Sequence, residues 1–447
     1  MEEKSAKEPD RMEKLVSLCK RRGFVYQGSE IYGGLAGTWD YGPLGVALKK
    51  NIENAWWRMF VDSTDNIYGI DTAILMNPKV WEASGHVSGF ADPLVECQKC
   101  KRRFRADHLD NVEKCPECGG KLGGMKQFNM MFKTTVGSVD GSDTTVYLRP
   151  ETAQGMFVNF KNIIDTFHPK LPFGIAQIGR NFRNEIAPRD FIFRVRELEI
   201  MELEYFLEEK SWQAQFEYWL GQMRAWFSSL GFEPGDIKEI EIPDGERAHY
   251  SKRTVDFHFN YPHKFDEIGG LAYRTDFDLK NHIEHSGVDL HYLDPNTNKK
   301  SVPHVLEPTF GLGRHVLAVL AKAYTEDELG GEKRVVLKLP PHLAPIKAAV
   351  FPLLKNKPEL VAKARGVYEM LKKDIPQIMW DDNGNVGKRY RRQDEVGTPW
   401  CITIDFDTLG ETPEMKDTVT VRDRDTGAQE RVALADLSNL LCAKIRA

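Results

Sequence analysis

Four cysteines and a set of arginines, glutamates and glycines are the residues in this sequence whose types and spacing could do chemistry. Cys97-x2-Cys100 is followed after fourteen residues by Cys115-x2-Cys118. Two such knuckles are what a tetrahedral Zn²⁺ takes, because each short turn lets two thiolates converge while backbone N–H groups stabilise their charge. The second knuckle, CPECGG, carries the Pro and Gly that a tight turn needs. Two disulfides or four unrelated thiols are the alternative reading, and a reducing compartment disfavours the disulfides. Cys19, Cys401 and Cys442 stand alone and read as small buried hydrophobes. Five of the seven residues from Lys99 to Arg105 are basic, which suits either phosphate contact or a solvated loop.

Outside the knuckles, FGIAQIGRNFRNE projects Gln177, Asn181, Arg183 and Glu185 on one side of an alternating strand and Ala176, Ile178 and Phe182 on the other. A turn at IAPRD leads into FIFRVRELEIMELEYF. Unbroken alternation there puts Arg194, Arg196, Leu198, Ile200 and Glu202 together, with Glu199 facing away unless a bulge intervenes. A salt-bridged exposed sheet would explain these charges but not the long aromatic-rich strands that carry them. VPHVLEPTFGLGRHVLAVLAKA reads as strand, glycine-rich bend and apolar helix. Its glycines admit a ligand close to the backbone, the helix N-terminus offers unpaired N–H groups to an anion, and Arg314 adds a full charge.

The elements that must position these groups follow from periodicity. Pro43 opens a helix in which Leu44, Leu48, Ile52, Ala55, Trp56, Met59 and Phe60 share one face, either core or a partner contact. From about residue 336, IKAAVFPLL, PELVAKARGVYEMLKK, WCITIDF and TVTVRDRDT alternate between strand and helix patterns, which predicts a separate α/β unit with a mixed sheet beyond Pro340, Pro341 and Pro345.

Composition narrows the classes. At 447 residues, with 41% hydrophobic and 28% charged residues, the chain suits about three globular units and excludes disordered or fibrous types. No apolar run of about 18 residues suggests a membrane span, and the charged start MEEKSAKEPDRMEK fits neither a secretory signal nor a transit peptide, so a cytoplasmic protein is expected. No repeat is visible. The net charge of −5 taken alone discourages a nucleic-acid partner, although residues 335–447 carry 18 basic against 16 acidic side chains. There is no G-x-S-x-G elbow, no P-loop and no thiol with an evident His partner. Arginine, glutamate and glycine instead suit electrostatic and positional catalysis on a phosphorylated substrate.

With those residues in view, the chain resembles the glycyl-tRNA synthetases of the dimeric eukaryotic and bacterial type, a class II aminoacyl-tRNA synthetase family. GTWDYGPLGVALKKNIENAWW resembles the first class motif, Phe182–Glu185 with RVRELEIMELEYF the second, and Glu307–Arg314 the third. LRPETAQGMFVNF, HYSKRTVDF, YRTDFDLKNH and RYRRQDEVGTPWCITID are close to further segments of that family.

The resemblance implies an α+β fold. An antiparallel class II sheet flanked by helices would occupy residues 1–335, with a zinc-knuckle insertion at 91–126 and a helical and mixed insertion at 208–255. Residues 336–447 would form an α/β anticodon-binding domain with a mixed sheet. It implies ATP-dependent attachment of glycine to tRNA(Gly) through a glycyl-adenylate, with Mg²⁺ beside the phosphates, Zn²⁺ structural at Cys97, Cys100, Cys115 and Cys118, and a homodimer built on the first motif's helix. Local basic patches at Lys99–Arg105 and Lys388–Arg392 would then supply affinity for tRNA despite the net charge.

By the same resemblance, Arg183, Glu185 and Arg314 carry catalysis. ATP is bound by these residues with Asn184, Phe193, Arg194, Arg196, Leu198, Glu267, Ile268, Gly311 and Gly313, and Glu267 is a possible Mg²⁺ ligand. Glycine is bound by Arg105, Glu151, Glu199, Glu202, Glu307, Thr309 and Gly311. Thr309 stands where the family usually has Ser, and Leu198 where class II enzymes usually place a Phe beneath the adenine. A non-catalytic paralogue commonly loses the phosphate arginines, which are present here, and a synthetase for serine, threonine or proline lacks the segments outside the class motifs.

Overall fold

The computed structural model describes residues 10–137, 144–248 and 250–446. The charged opening residues 1–9 and His249 of HYSKRTVDF lie outside the described residues. Helix α1 (Arg11–Arg22) is set by a capping box in which the Asp10 side chain accepts from the Glu13 backbone, and Gly23 ends it in the left-handed region. Helix α2 (Pro43–Trp57) starts with Pro in its first turn and runs on through one π-turn, Arg58–Asp62. Its Leu48, Ile52 and Trp56, with Phe60 of the π-turn, are buried in the main core cluster. The apolar face that the sequence left open between core and partner is therefore core.

Strand β1 (Ile67–Gly69) and the short helix α3 (Pro78–Ala83) lead into a cysteine module built on strands β2 (Ala91–Glu96), β3 (Arg103–Arg105) and β4 (Lys126–Asn129). After helix α4 (Ala153–Val158) come the long strands β5 (Phe173–Phe182) and β6 (Glu197–Leu207), helix α5 (Trp212–Ser229), and strands β7 (Ile237–Glu241), β8 (Arg253–Asn260) and β9 (Phe265–Thr275). Helix α6 (Phe277–Ser286), strand β10 (His304–Gly311) and helix α7 (Leu312–Ala323) complete the central layer. One sheet of seven strands, in the order β7-β8-β9-β10-β6-β5-β1, carries the candidate site. All of its pairings are antiparallel except that of the edge strand β1 with β5.

Three expectations differ from this arrangement. The return strand begins at Glu197 rather than Phe191: residues 183–196 form a loop, with Asp190 and Phe191 at φ +59° and +59°, so Arg194 and Arg196 are placed by a turn and not by strand alternation. Segment 208–255 is built into the central layer, because β7 and the start of β8 pair within the main sheet while Phe216, Trp219, Met223 and Trp226 of α5 fill the main core. The hydrophobic clusters part between Ala344 and Ala348, beyond the expected 336, since Leu337, Leu339 and Leu343 pack with the central core.

A hairpin, β11 (Tyr324–Leu329) with β12 (Glu332–Leu337), connects to the C-terminal unit. That unit comprises β13 (Ala348–Pro352), α8 (Pro358–Asp374), β14 (Ile378–Trp380), α9 (Val386–Val396), β15 (Trp400–Ile404), β16 (Thr418–Asp423), β17 (Gln429–Ala433) and α10 (Leu434–Arg446). Its five-stranded sheet, β14-β13-β15-β16-β17, is parallel at β14-β13-β15 and antiparallel beyond, the mixed sheet that the alternation predicted. Buried Asp394 of α9 joins the two units by pairing with Arg334 of the hairpin at 3.0 Å and Arg422 of β16 at 2.8 Å. Among the described residues, no helix is long and apolar enough to cross a membrane.

Candidate active site

Two compartments open side by side on one face of the central sheet. The first is a cleft lined by Arg183, Glu185, Arg194, Leu198, Gly311 and Arg314, among others. The second is an acidic recess lined by Glu151, Glu202, Glu307, Asp256 and Tyr250, among others. Arg183, Ile200, Glu267 and Thr309 line both, so the compartments meet there.

The cleft is shaped by local chain geometry. Arg183 follows the end of β5, its backbone N–H donating to Arg196 O at 2.9 Å and its Nε to Pro150 O at 3.1 Å. Arg196 N in turn donates to Gly37 O at 2.8 Å. Gly37 lies at φ +76°, and a Cβ there would fall 2.6 Å from Pro188 Cβ, so only glycine lets the two loops close on each other. Glu185 is buried and faces Arg194 Nη1 at 3.6 Å, while its Oε2 has no hydrogen-bond partner. At the opposite wall, β10 ends at Gly311 and α7 begins, presenting the Arg314 guanidinium 4.5 Å above the Phe193 ring. Arg314 Nη1 reaches Glu267 Oε2 at 3.0 Å, and that pairing holds the Glu267 carboxyl below its ordinary range. Gly269 lets the wall come close, because a Cβ there would stand 2.6 Å from Thr309 O.

Carboxyl groups dominate the recess. Glu202 of β6 is buried and accepts from the hydroxyls of Thr152 and, at 3.1 Å, Thr309. Glu151 accepts from Gln154 Nε2 at 3.0 Å and lies 3.3 Å from His86 Nε2. Burial opposes ionisation of Glu151, but His86, Arg274 and Gln154 outweigh it and hold its carboxyl well below the usual range. Arg274 of β9 donates to Asp278 at 2.8 Å through both Nε and Nη2, and to Glu307 at 2.7 Å. Asp256 at the recess wall is pushed up to about 7, first by burial and then by Glu267. The arrangement offers carboxylates to a small cation beside guanidinium groups for an anion, which suits a zwitterion next to a polyphosphate.

Several sequence-expected residues sit elsewhere. Glu199 faces away from Glu202, because the β5–β6 register runs unbroken from Glu197 to Phe206 and no bulge turns it; it lines the cleft rather than the recess, and its Oε2 pairs with Lys49 of α2 at 2.5 Å. Arg105 is held in the cysteine module by Asp92 at 2.8 Å and Asp107 at 2.7 Å and lines neither compartment. Arg196 is spent on the carbonyls of Ala36 and Glu185, bracing the loop behind the cleft. Ile268 is fully buried in the core, and Gly269 lines the cleft in its place. Asn184 uses its backbone N–H on Met130 O at 2.8 Å and does not line the cleft. In the Lys388–Arg392 patch, Arg389 is buried on the carbonyls of Pro352, Asp382 and Gly384, and Arg392 pairs with Asp381 at 2.8 Å, so much of that charge is structural.

Sequence reasoning missed Arg274, Asp278, His86, Thr152 and Glu204. Arg274-x3-Asp278 is the spacing at which two side chains can meet as the chain enters a helix, and Glu204 shares the strand face of Glu202 by simple alternation.

In the cysteine module the Sγ atoms of Cys97 and Cys118 lie 3.5 Å apart and those of Cys100 and Cys115 3.7 Å apart, and all four fall within 4.8 Å of one another. A tetrahedron of Zn–S bonds of about 2.3 Å has an S···S edge of about 3.8 Å, so the four thiols fit that ion. The Cys100 backbone N–H, 3.5 Å from Cys97 Sγ, is the first cause that pulls the Cys97 thiol down to about 6.

Comparison with known proteins adds to this geometry. The family model described as "tRNA synthetase class II core domain (G, H, P, S and T)" matches residues 132–323, and the one described as "Anticodon binding domain" matches residues 347–444. The chain is 48% identical over 464 residues to a "Glycine--tRNA ligase" of Alkaliphilus oremlandii, covering 97% of this chain and 98% of that protein. It is 49% identical over 455 residues to the protein of that name in Acetivibrio thermocellus, covering 95% of this chain and 96% of that one. With the one from Geobacillus thermodenitrificans it shares 49% over 466 residues, 97% of each.

Proposed function

The chain belongs to the glycine–tRNA ligase family of class II synthetases, and from that premise we propose that the arginine cleft takes ATP and the acidic recess takes glycine. The protein is an aminoacyl-tRNA synthetase that attaches glycine to tRNA at the expense of ATP. Its C-terminal unit is an anticodon-binding domain.

The observation that carries the site reading is the junction. A carboxylate must meet an α-phosphate for glycyl-adenylate to form, and the two compartments meet at Arg183, Thr309 and Glu267. Arg183 holds the glycine carboxylate and the α-phosphate together, and its guanidinium meets the charge that develops as the carboxylate oxygen attacks and pyrophosphate leaves. Arg314, seated on Phe193, takes the far phosphates, and Glu185 accepts from the adenine amino group through its Oε2, which faces Arg194 at 3.6 Å but makes no hydrogen bond among the described residues. Leu198 packs beneath the adenine. In the recess the ammonium lodges against Glu202 and Glu151, with Glu307 behind them. Thr309 narrows the space and excludes substrates with a side chain.

Class II synthetases use Mg²⁺ with ATP. Glu267, with Asp256 beside it, supplies the oxygen donors this ion takes, and the ion when bound neutralises phosphate charge. Cys97, Cys100, Cys115 and Cys118 hold a structural Zn²⁺. This module lies beside the cleft, as the influence of Glu185 and Arg194 on the Asp92 carboxyl reflects. The protein acts in the cytoplasm as a homodimer; Ile31 and Tyr32, 89% and 87% exposed, with Leu35 and Val46 nearby in the chain, supply an apolar surface for the second copy.

Arg183→Ala tests the central assignment. The variant should keep its circular dichroism and melting behaviour and lose glycine-dependent ATP–pyrophosphate exchange by at least about a hundredfold, the scale of one preorganised transition-state donor. A near-normal exchange rate would remove Arg183 from the mechanism.

A further inference from the structure

Behind the recess lies a carboxyl group to which the reading above gives no task. Glu204 follows Glu202 by two residues on β6, so both point to the same face. It is fully buried, and among the described residues neither of its carboxyl oxygens has a hydrogen-bond partner. One oxygen each of Glu202, Glu204 and Glu307 lies within 4.8 Å of the other two. Among the described residues, the charged groups that act most on Glu204 are Glu307 from β10, Arg274 from β9, Glu202 from its own strand and Asp278 from α6. Arg274 is already committed to Asp278 and Glu307 by hydrogen bonds. A buried, ionised carboxylate without a hydrogen bond amid other carboxylates is strongly unfavourable, so the cluster needs a further positive charge.

We propose that Glu204 is a positioning residue for glycine capture, sharing a proton with Glu307 and Glu202 that leaves for solvent when the substrate ammonium enters. The inference rests on the assignment of the recess to glycine. In the free enzyme the proton satisfies the orphaned oxygens of Glu204 and keeps Glu202 and Glu307 from repelling each other. On binding, one positive charge enters as –NH₃⁺ and one leaves as H⁺, so the charge at the carboxyl cluster is unchanged. Glu204 does not touch glycine; it sets the protonation of the carboxyls that do. Burial and the neighbouring carboxylates push Glu204 well above the ordinary range, and burial, then the balance of Arg274 against Glu202, Glu151 and Asp278, leaves Glu307 at about 8. Such a group acts as one coupled acid rather than as three separate ones.

The direction of pH dependence follows. The shared proton competes with the ammonium, so glycine binding should weaken as pH falls through the range where the cluster takes it up, by about tenfold per pH unit, and level off at higher pH.

The test is calorimetry of a non-hydrolysable glycyl-adenylate mimic binding to the full-length zinc-loaded protein near neutral pH, in buffers of different ionisation enthalpy. Wild type should release about one proton per mimic bound, and a mimic lacking the amino group should release about none. Glu204→Gln, which keeps the shape without the acid, should still bind the mimic but release about none. Its KM for glycine should lose the pH slope that wild type shows.

Absence of proton release in wild type, equal release with the amine-free mimic, or full release by Glu204→Gln would each overturn the proposal. If the variant does not fold, the two wild-type comparisons still decide it. Release that vanishes after EDTA dialysis and zinc reloading would put a metal ion in the cluster and overturn it as well. Failure of wild type to bind the glycyl mimic at all would instead refute the assignment of the recess to glycine.

Discussion

Replacing Arg274 with Met removes the cation around which the recess is assembled. The guanidinium is buried, donates twice to Asp278 at 2.8 Å and once to Glu307 at 2.7 Å, and lies 3.9 Å over the Tyr250 ring. Met fills much of the same volume, so the loss is electrostatic rather than a cavity. Removing one partner from a buried ion pair costs about 3–5 kcal/mol, because the remaining charges have neither water nor counter-ion. That range lowers the folded-to-unfolded ratio of the central unit by a factor between about a hundred and several thousand. Trp212, stacked on Tyr273 with ring centroids 4.3 Å apart, makes urea unfolding of this region readable by fluorescence. The sign with pH is also set. Burial already raises the Glu307 carboxyl to about 8 with the guanidinium in place, and without Arg274 it is raised further, so folding favours its protonated form. The deficit against wild type should therefore stay level up to about pH 8 and grow as pH rises past it. A deficit under about 1 kcal/mol, typical of a solvated pair, or one that shrinks as pH rises, would refute the claim that Arg274 neutralises the recess.

Two other outcomes are expected. Metal analysis should find about one zinc per chain, lost when Cys115 and Cys118 are both replaced by Ser, whereas a metal-free and fully active wild type would exclude the zinc reading. Leu198→Phe should lower the KM for ATP by about fivefold without changing the KM for glycine, since an aromatic stack adds about 1 kcal/mol over aliphatic packing; an unchanged ATP KM would mean that adenine does not sit on this residue.

The central architecture was legible wherever local signals agreed. Pro43 with its apolar 3.6-residue period identified α2, and the run from His304 to Ala323 identified β10, the bend at Gly311 and α7. The alternation from about residue 336 onward likewise announced the mixed C-terminal sheet, whose first strand begins at Ala348. Period alone failed at residues 191–196. FIFRVR has the composition of a strand, but Asp190 and Phe191 in the left-handed region turn the chain out of the sheet and leave Arg194 and Arg196 on a loop. The insertion that the resemblance implied at 208–255 has no such boundary in the fold, because β8 spans its end and pairs with β9, which is separated from it by four residues.

At the candidate site, the alternation of β6 separated Glu199 from Glu202 correctly, and the family resemblance that grouped them did not survive the unbroken register. Arg105 illustrates a different limit. The resemblance made it a glycine ligand, but Asp92 and Asp107 take it first, and nothing in the sequence announces that β2 and β3 bring Asp92 beside it. Arg274 escaped notice for the opposite reason. Asp278 is a local partner four residues on, but Glu307 lies on β10, so the role of Arg274 in the recess is visible only once the sheet has placed them together.

The account turns on glycine and ATP meeting at Arg183, and ATP–pyrophosphate exchange with a panel of amino acids tests that most directly. Exchange supported by glycine, with alanine, serine, threonine and proline at least about a hundredfold less effective, is the predicted result. Exchange driven by serine or proline but not glycine, or no exchange with any amino acid by folded protein supplied with Mg²⁺, would contradict it.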